Sequence, residues 1–334
     1  MMILFPDANF HDDAALERPA FSADAELVIA RAQHVDDIAD ETWRRASGLI
    51  VNIGVPIDQP LLDRLDRCRI ITRAGVGFDH IDIKAAATRG IPVCNVPDYG
   101  TTEVADHAIA LMLGLARGLV SYHQRLIANP VAGWGWSGVP LVRRLRGTRF
   151  GVIGLGRIGT AAARRARGLD MDVSFYDPHV PDGTDLGLGF HRELSLEALL
   201  ASADVVSLHC PLNAETACII NADSLAAMKP GALLINTARG GLIDIPALEA
   251  ALREGRIEGA GIDVLPDEPP DPDSPLLQAF KRREPWIDGR LLLTPHAAWY
   301  SPDGHADMRR KAAQTVADFL QNGVLRNVVN GVRP

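Results

Sequence analysis

The stretch GVIGLGRIGTAAARRA (151–166) holds Gly154, Gly156 and Gly159 as G-x-G-x-x-G, after an apolar run that reads as a strand and before small residues that read as a helix. Alone the pattern is weak, but in this setting each glycine has a separate job. Gly154 permits a tight turn, Gly156 lets the backbone approach a pyrophosphate, and Gly159 lets the helix pack close to the sheet. The helix N-terminus offers N–H groups at Arg157 and Ile158 and a partial positive charge, and the Arg157 side chain adds a cation. Asp177 closes the next apolar run, near the roughly twenty-residue spacing expected of an acid that hydrogen-bonds a ribose diol. Its charge repels a 2′-phosphate and the following Pro178 and His179 bring no fixed cation, so the expected cofactor is NAD rather than NADP.

The elements that must position this turn are legible as alternating apolar runs. MILF (2–5), ELVIA (26–30), GLIVNI (48–53), RIIT (69–72) and IPVCNV (91–96) form one series. FGVIG (150–154), DVSFYD (172–177), DVVSLHC (204–210), ALLINT (232–237), GAGID (259–263) and LLLTP (291–295) form a second. Helix-like stretches separate the runs, which implies βαβ units and two parallel α/β sheets in succession. Between the series, EVADHAIALMLGLARGLVSYHQRL (103–126) reads as one long helix packed between layers. ANPVAGWGWSGVP (128–140) reads as a crossing loop whose Trp134 and Trp136 receive no chemical role. A last helix over roughly 303–321 comes too late for the second sheet and is expected to return to the first domain.

Composition narrows the class. The 334 residues are 47% hydrophobic and 23% charged, an ordinary globular balance with length for two domains. The net charge of -8 is a poor match to nucleic acid or an anionic membrane. Cys68, Cys94, Cys210 and Cys218 are scattered without a CxxC pair or zinc-ligand spacing, so reduced thiols and no metal are expected. The N-terminus lacks the features of a signal peptide and no apolar stretch reaches the ~18 residues of a spanning helix, so the expected location is cytoplasmic.

Five ordered motifs carry a family resemblance: RAGVGFDHIDIKAAATRGIPVCNVP (73–97), the GLGRIG turn, NTARGGLID (236–244), GAGIDVLPDEP (259–269) and TPHAAW (294–299). From about residue 48 onward the chain resembles the D-isomer-specific 2-hydroxyacid dehydrogenases. RAGVGFDHIDIK, CNVP, FYDP and HAAWYS are most similar to the C-terminal-binding-protein branch, whose members serve as corepressors, with a phosphoglycerate-dehydrogenase-like form as a further reading. The resemblance implies an α/β fold with two Rossmann-like/flavodoxin-like parallel-sheet domains. The NAD-binding domain, 99–295, is inserted in a discontinuous substrate domain of 1–98 plus 296–334. It also implies an active site in the interdomain cleft, a homodimer, and NAD-dependent interconversion of a 2-keto acid and a D-2-hydroxy acid. The ending NVVNGVRP, with no long tail or regulatory domain after it, weighs against the corepressor and full-length phosphoglycerate dehydrogenase readings.

Reducing a keto acid needs a clamp, a proton donor and a placed hydride. Arg239 matches the family's substrate arginine, and its planar fork suits a carboxylate beside a carbonyl. His296 matches the acid–base histidine. Glu268 matches that histidine's acidic partner, with Asp267 and Asp263 as competitors; a carboxylate beside imidazole fixes its tautomer and favours its charged form. Gly75, Val76 and Gly77 follow a strand and can aim amides at a carboxylate, or serve only as a turn needing positive φ. Arg73 stands where the C-terminal-binding branch has a second carboxylate-binding arginine. Further expected cofactor contacts are Cys210, Pro211, Thr237, Ala238, His296 and Asp263, the last near the nicotinamide carboxamide. Trp299 is expected to pack on the substrate side chain and favour an apolar or thioether-bearing keto acid.

Overall fold

The structure, a computed structural model, describes residues 1–333. It divides into two compact units, one of Met1–Gly100 with the chain from Tyr300 onward and one of Thr101–Trp299. The discontinuous arrangement matches the expectation, but both junctions lie a few residues later than the anticipated 98/99 and 295/296. His296 and Trp299 therefore belong to the second unit rather than to the returning segment.

In the first unit, β1 (Met2–Phe5), β2 (Glu26–Ile29), β3 (Gly48–Val51), β4 (Ile71–Arg73) and β5 (Val93–Asn95) form a parallel sheet in the order β2-β1-β3-β4-β5. This is the flavodoxin-like winding. Leu4, Trp43, Leu49, Val51 and Ile71 are buried completely in one of its cores. The late helix, Pro302–Asn322, packs on this sheet, where a Cβ on Gly48 would stand 3.0 Å from Val316 Cγ1. Ser301 caps its start by accepting from the Gly304 amide, and Gly323, at φ 72°, ends it. Arg309, in the N-terminal half of this helix, donates to both Asp12 and Glu17 and lies 3.8 Å from the Phe10 ring centroid, which ties the N-terminal arm to the helix.

In the second unit the strands are β6 (Arg149–Ile153), β7 (Asp172–Tyr176), β8 (His191–Arg192), β9 (Val205–Leu208), β10 (Leu233–Asn236), β11 (Gly259–Ile262) and β12 (Leu291–Leu293). All pair in parallel, in the order β12-β11-β10-β9-β6-β7-β8. Counted from β6, this is the doubly wound 3-2-1-4-5-6 order extended by one strand, with its crevice between β6 and β9. Only β8 escapes the apolar-run reading, because it is two residues long, polar, and at the sheet edge. Separate apolar cores cover the two faces of the sheet.

The long helix expected over 103–126 is two helices, Thr101–Ala116 and Leu119–Ala128. Gly118 between them adopts φ 62°, a conformation that breaks the helical path and that glycine reaches without steric cost. The two pieces differ in burial: Thr101–Ala116 buries Ala105, Ala108, Leu111, Met112 and Leu115 among others, whereas Leu119–Ala128 buries none. The first helix lies close on the sheet, since a Cβ on Gly261 of β11 would stand 2.9 Å from Leu111 Cβ, and one on Gly114 would stand 2.9 Å from Leu292. Among the described residues no single helix is long and apolar enough to cross a membrane.

Candidate active site

The glycine turn has the three-part logic its spacing implies. Gly154 takes φ 90° and presses on β9's end, where a Cβ would come within 2.6 Å of the Cys210 amide nitrogen. Gly159 faces the Gly154 carbonyl, 2.1 Å from where its Cβ would sit, so no side chain fits. Gly156 is different: nothing lies within 4 Å of its Cβ position, and it opens the helix Arg157–Gly168 onto free space. That space, at the N-terminus of a helix and the carboxyl end of a strand, suits a pyrophosphate. Arg157 and Ile158 are the first two helical residues, and Arg157 is exposed.

Asp177, just past β7, is held by its neighbours: Oδ2 accepts from the Leu155 amide at 2.8 Å and Oδ1 from the His179 amide at 2.9 Å. One cation nearby was missed in the sequence because it lies on β8. Arg192 donates to the carbonyls of Asp177 and Val180 and pairs with Asp182, so its charge is already engaged. Across the crevice, Cys210 is buried, and burial pushes its thiol up to about 11, which keeps it protonated and leaves it a packing role. Pro211 beside it is exposed. Thr237, past β10, is buried with a hydroxyl oxygen that no protein group bonds, and Ala238 is half-buried. An unpartnered buried hydroxyl and an unfilled glycine cradle on the same sheet end fit a bound dinucleotide.

Arg239 follows Thr237 and Ala238 in a turn set by Asn236, whose Nδ2 donates to the Arg239 carbonyl while its Oδ1 accepts from the Ala238 amide. The Arg239 guanidinium donates back to the Ala238 carbonyl at 2.7 Å. Gly240 then passes so near the Leu265–Pro266 peptide that a Cβ would fall 1.9 Å from the Leu265 carbonyl carbon. This contact sets the arginine turn against the segment that carries Glu268. Neither Asn236 nor Gly240 was singled out in the sequence, although both lie within NTARGG.

His296 and Glu268 meet. His296 Nδ1–H donates to Glu268 Oε2 at 2.5 Å, and Glu268 Oε1 accepts from the Leu265 amide at 3.0 Å. Burial opposes the charge on Glu268, but the hydrogen bond and charge of His296, the Leu265 amide and the Arg239 charge outweigh it, and its pKa lies below the ordinary carboxylate value. Of the competitors, Asp263 bonds the Thr294 hydroxyl and the Ala297 and Ala298 amides instead. With Nδ1 committed to Glu268, Nε2 is the nitrogen left to exchange a proton.

The Asp263 carboxylate accepts from the Thr294 hydroxyl and from the amides of Ala297 and Ala298. The amide of Gly75 donates to the Arg73 carbonyl at 2.9 Å inside its own turn, which leaves Val76 and Gly77 as the anion-facing candidates. Gly75 takes φ 146° and its missing side chain makes room for the Arg73 guanidinium, which donates to the Ala74 carbonyl. These residues lie in the first unit, and half-buried Trp299 is the last residue of the second.

A doubly wound sheet with a glycine turn, an acid at the next strand end and an adjoining carboxylate–imidazole pair defines a dinucleotide-binding protein equipped for proton transfer. Residues 109–298 match the family model of the D-isomer specific 2-hydroxyacid dehydrogenase NAD binding domain, and the chain belongs to that family. It is 32% identical over 328 residues to C-terminal-binding protein 1 of Caenorhabditis elegans, a match covering 96% of this chain and 42% of that protein. It is 35% identical over 282 residues to a D-3-phosphoglycerate dehydrogenase of Archaeoglobus fulgidus, covering 84% of this chain and 51% of that one. The chain thus spans about half the length of the curated relatives it matches. Among solved structures, an NADPH-dependent glyoxylate/hydroxypyruvate reductase from Sinorhizobium meliloti, in complex with NADP and malonate, superposes with a TM-score of 0.86 at 31% identity, covering 100% of this chain and 98% of that one.

Proposed function

We propose that the protein is a nicotinamide-dependent oxidoreductase that interconverts a 2-keto acid and a D-2-hydroxy acid. The observation that carries this reading is the 2.5 Å bond between His296 and Glu268, with Arg239 acting electrostatically on the same carboxylate. A nicotinamide dinucleotide held by the glycine turn at 154–159 and by Thr237 would supply or accept a hydride at the substrate C2. Arg239 clamps the substrate carboxylate and polarises the carbonyl. His296 Nε2 gives a proton to the carbonyl oxygen during reduction and takes one from the hydroxyl during oxidation. Glu268 holds the imidazole in the tautomer that presents Nε2 and stabilises the imidazolium.

Asp177 favours NAD over NADP, because a fixed carboxylate at the ribose end of the site disfavours a 2′-phosphate. A homodimer is the proposed assembly. Ile127, Val131, Trp134 and Trp136 are 70–86% exposed along one continuous segment of the second unit, an apolar density that soluble monomers seldom leave bare.

The test is NADH consumption against a panel of 2-keto acids, with the chirality of the product determined. Turnover to the D isomer supports the proposal. NADH binding without turnover of any keto acid would instead favour a cofactor-sensing interaction protein, the reading that the similarity to C-terminal-binding protein 1 raises.

A further inference from the structure

The segment Thr294–Trp299 hangs on a carboxylate that has no part in the proton chemistry. Asp263, following β11, has a completely buried side chain. Its Oδ1 accepts from the Ala297 amide at 2.9 Å and from the Thr294 hydroxyl at 2.5 Å, and its Oδ2 accepts from the Ala298 amide at 3.0 Å. The Asp263 carbonyl also receives the His296 amide at 2.7 Å. His296 itself is held at φ 52°, a backbone conformation that residues with a Cβ seldom adopt and that persists only where surrounding bonds enforce it.

The bonds continue outward. A hydroxyl has one hydrogen, and that of Thr294 goes to Asp263; its second bond, 2.9 Å to His107 Nε2, must therefore be one in which it accepts. His107 Nε2 is then the protonated nitrogen. It stands on the helix Thr101–Ala116, which the glycines at 114 and 261 allow to lie close on the sheet. One line of hydrogen bonds thus runs from that helix through His107 and Thr294 to Asp263, and from Asp263 into the amides on either side of the His296 side chain.

We infer that His107 and Thr294 are positioning residues for His296. They orient the Asp263 carboxylate, and through it they hold the His296 backbone in the left-handed conformation that sets the imidazole against Glu268. The inference rests on the acid–base role proposed for His296. Losing the line should leave substrate binding nearly intact and lower the chemical step, because the aim of one nitrogen changes while the clamp stays.

The test compares His107→Leu and Thr294→Val, which cut the line, with His107→Gln and Thr294→Ser, which keep an N–H donor and a hydroxyl. Two readouts are used, steady-state kinetics with NADH and a keto acid, and hydrogen exchange at the Ala297 and Ala298 amides. The cutting variants should lose about tenfold in kcat with KM within about twofold, and their two amides should exchange about tenfold faster. The conservative variants should recover both to within about threefold of wild type. Unchanged kcat and exchange in the cutting variants would overturn the inference, as would a loss that the conservative variants share. If His107→Leu does not fold, the Thr294→Val and Thr294→Ser pair decides alone. If the wild-type protein turns over no keto acid, the proposed function fails, and the exchange comparison still decides whether the line holds the loop.

Discussion

His296 and Glu268 define the behaviour at the residue scale, because the 2.5 Å bond commits Nδ1 to the carboxylate and leaves Nε2 for the substrate. The same bond helps hold the Glu268 pKa below the ordinary carboxylate value. Glu268→Gln keeps the size and removes the charged acceptor that fixes the ring, so kcat for reduction should fall by about tenfold or more with KM within about twofold. Steady-state kinetics measures this, and an unchanged kcat would remove Glu268 from the role. Asp177 yields a second prediction. Asp177→Asn retains an acceptor for the Leu155 amide but removes the negative charge, so NADPH use relative to NADH should rise by about tenfold or more, as expected from relieving one like-charge repulsion. Arg192 is held away from a role in NADP binding by three carbonyls, those of Asp177, Val180 and Pro181, and by Asp182.

Among the elements, the strand ends set what the side chains can reach. Gly240→Ala puts a methyl group where the Leu265 carbonyl carbon stands, so the arginine turn must separate from the Glu268 segment. The cost should be about 1–3 kcal/mol in stability, typical of overpacking, with a fall in kcat larger than a remote destabilisation would cause; thermal unfolding and steady-state kinetics together check it. The end of β9 yields a pH dependence. Burial holds the His209 imidazole down to about 4 from an ordinary 6.5, beside the Ser207 hydroxyl at 2.8 Å. Between those values the unfolded chain binds a proton that the folded chain refuses, so stability is undiminished above about pH 6.5 and declines as the pH falls toward 4. His209→Gln should reduce that decline by on the order of 1–2 kcal/mol between pH 7 and pH 5, allowing for partial solvent access at the ring. Urea unfolding at the two pH values would show it, and equal slopes in both proteins would contradict it.

What could be read ahead of the structure follows the range of the interaction. The glycine turn was legible to the level of each glycine, because each requirement is met within a few residues or by the adjoining strand. Eleven of the strands announce themselves as apolar runs, whereas β8 is a polar edge pair and the break at Gly118 needed a positive φ that no pattern of apolar residues reveals. The partnership of Glu268 with His296 came from motif resemblance rather than from chemistry. The facing of Asp263 could not be foreseen, because its partners Thr294, Ala297 and Ala298 arrive from a neighbouring strand end more than thirty residues away.

At the scale of the whole molecule, the apolar segment from Ile127 to Trp136 makes self-association the expected state. Replacing Trp134 and Trp136 together with aspartate should shift the sedimentation coefficient from dimer to monomer without unfolding either unit, since both side chains are more than 80% exposed in the single chain. A wild-type protein that sediments as a monomer would refute the assembly but not the chemistry. The chemistry itself is tested most directly by a single turnover, in which the NADH-loaded protein is mixed with a keto acid that it reduces and the loss of NADH is followed in wild type and in His296→Gln. The substitution should slow the reduction by about 10²–10⁴-fold while changing NADH affinity far less, by about threefold at most, as loss of a general acid requires. Equal rates in the two proteins would contradict the assignment of His296 as the proton donor and, with it, the mechanism.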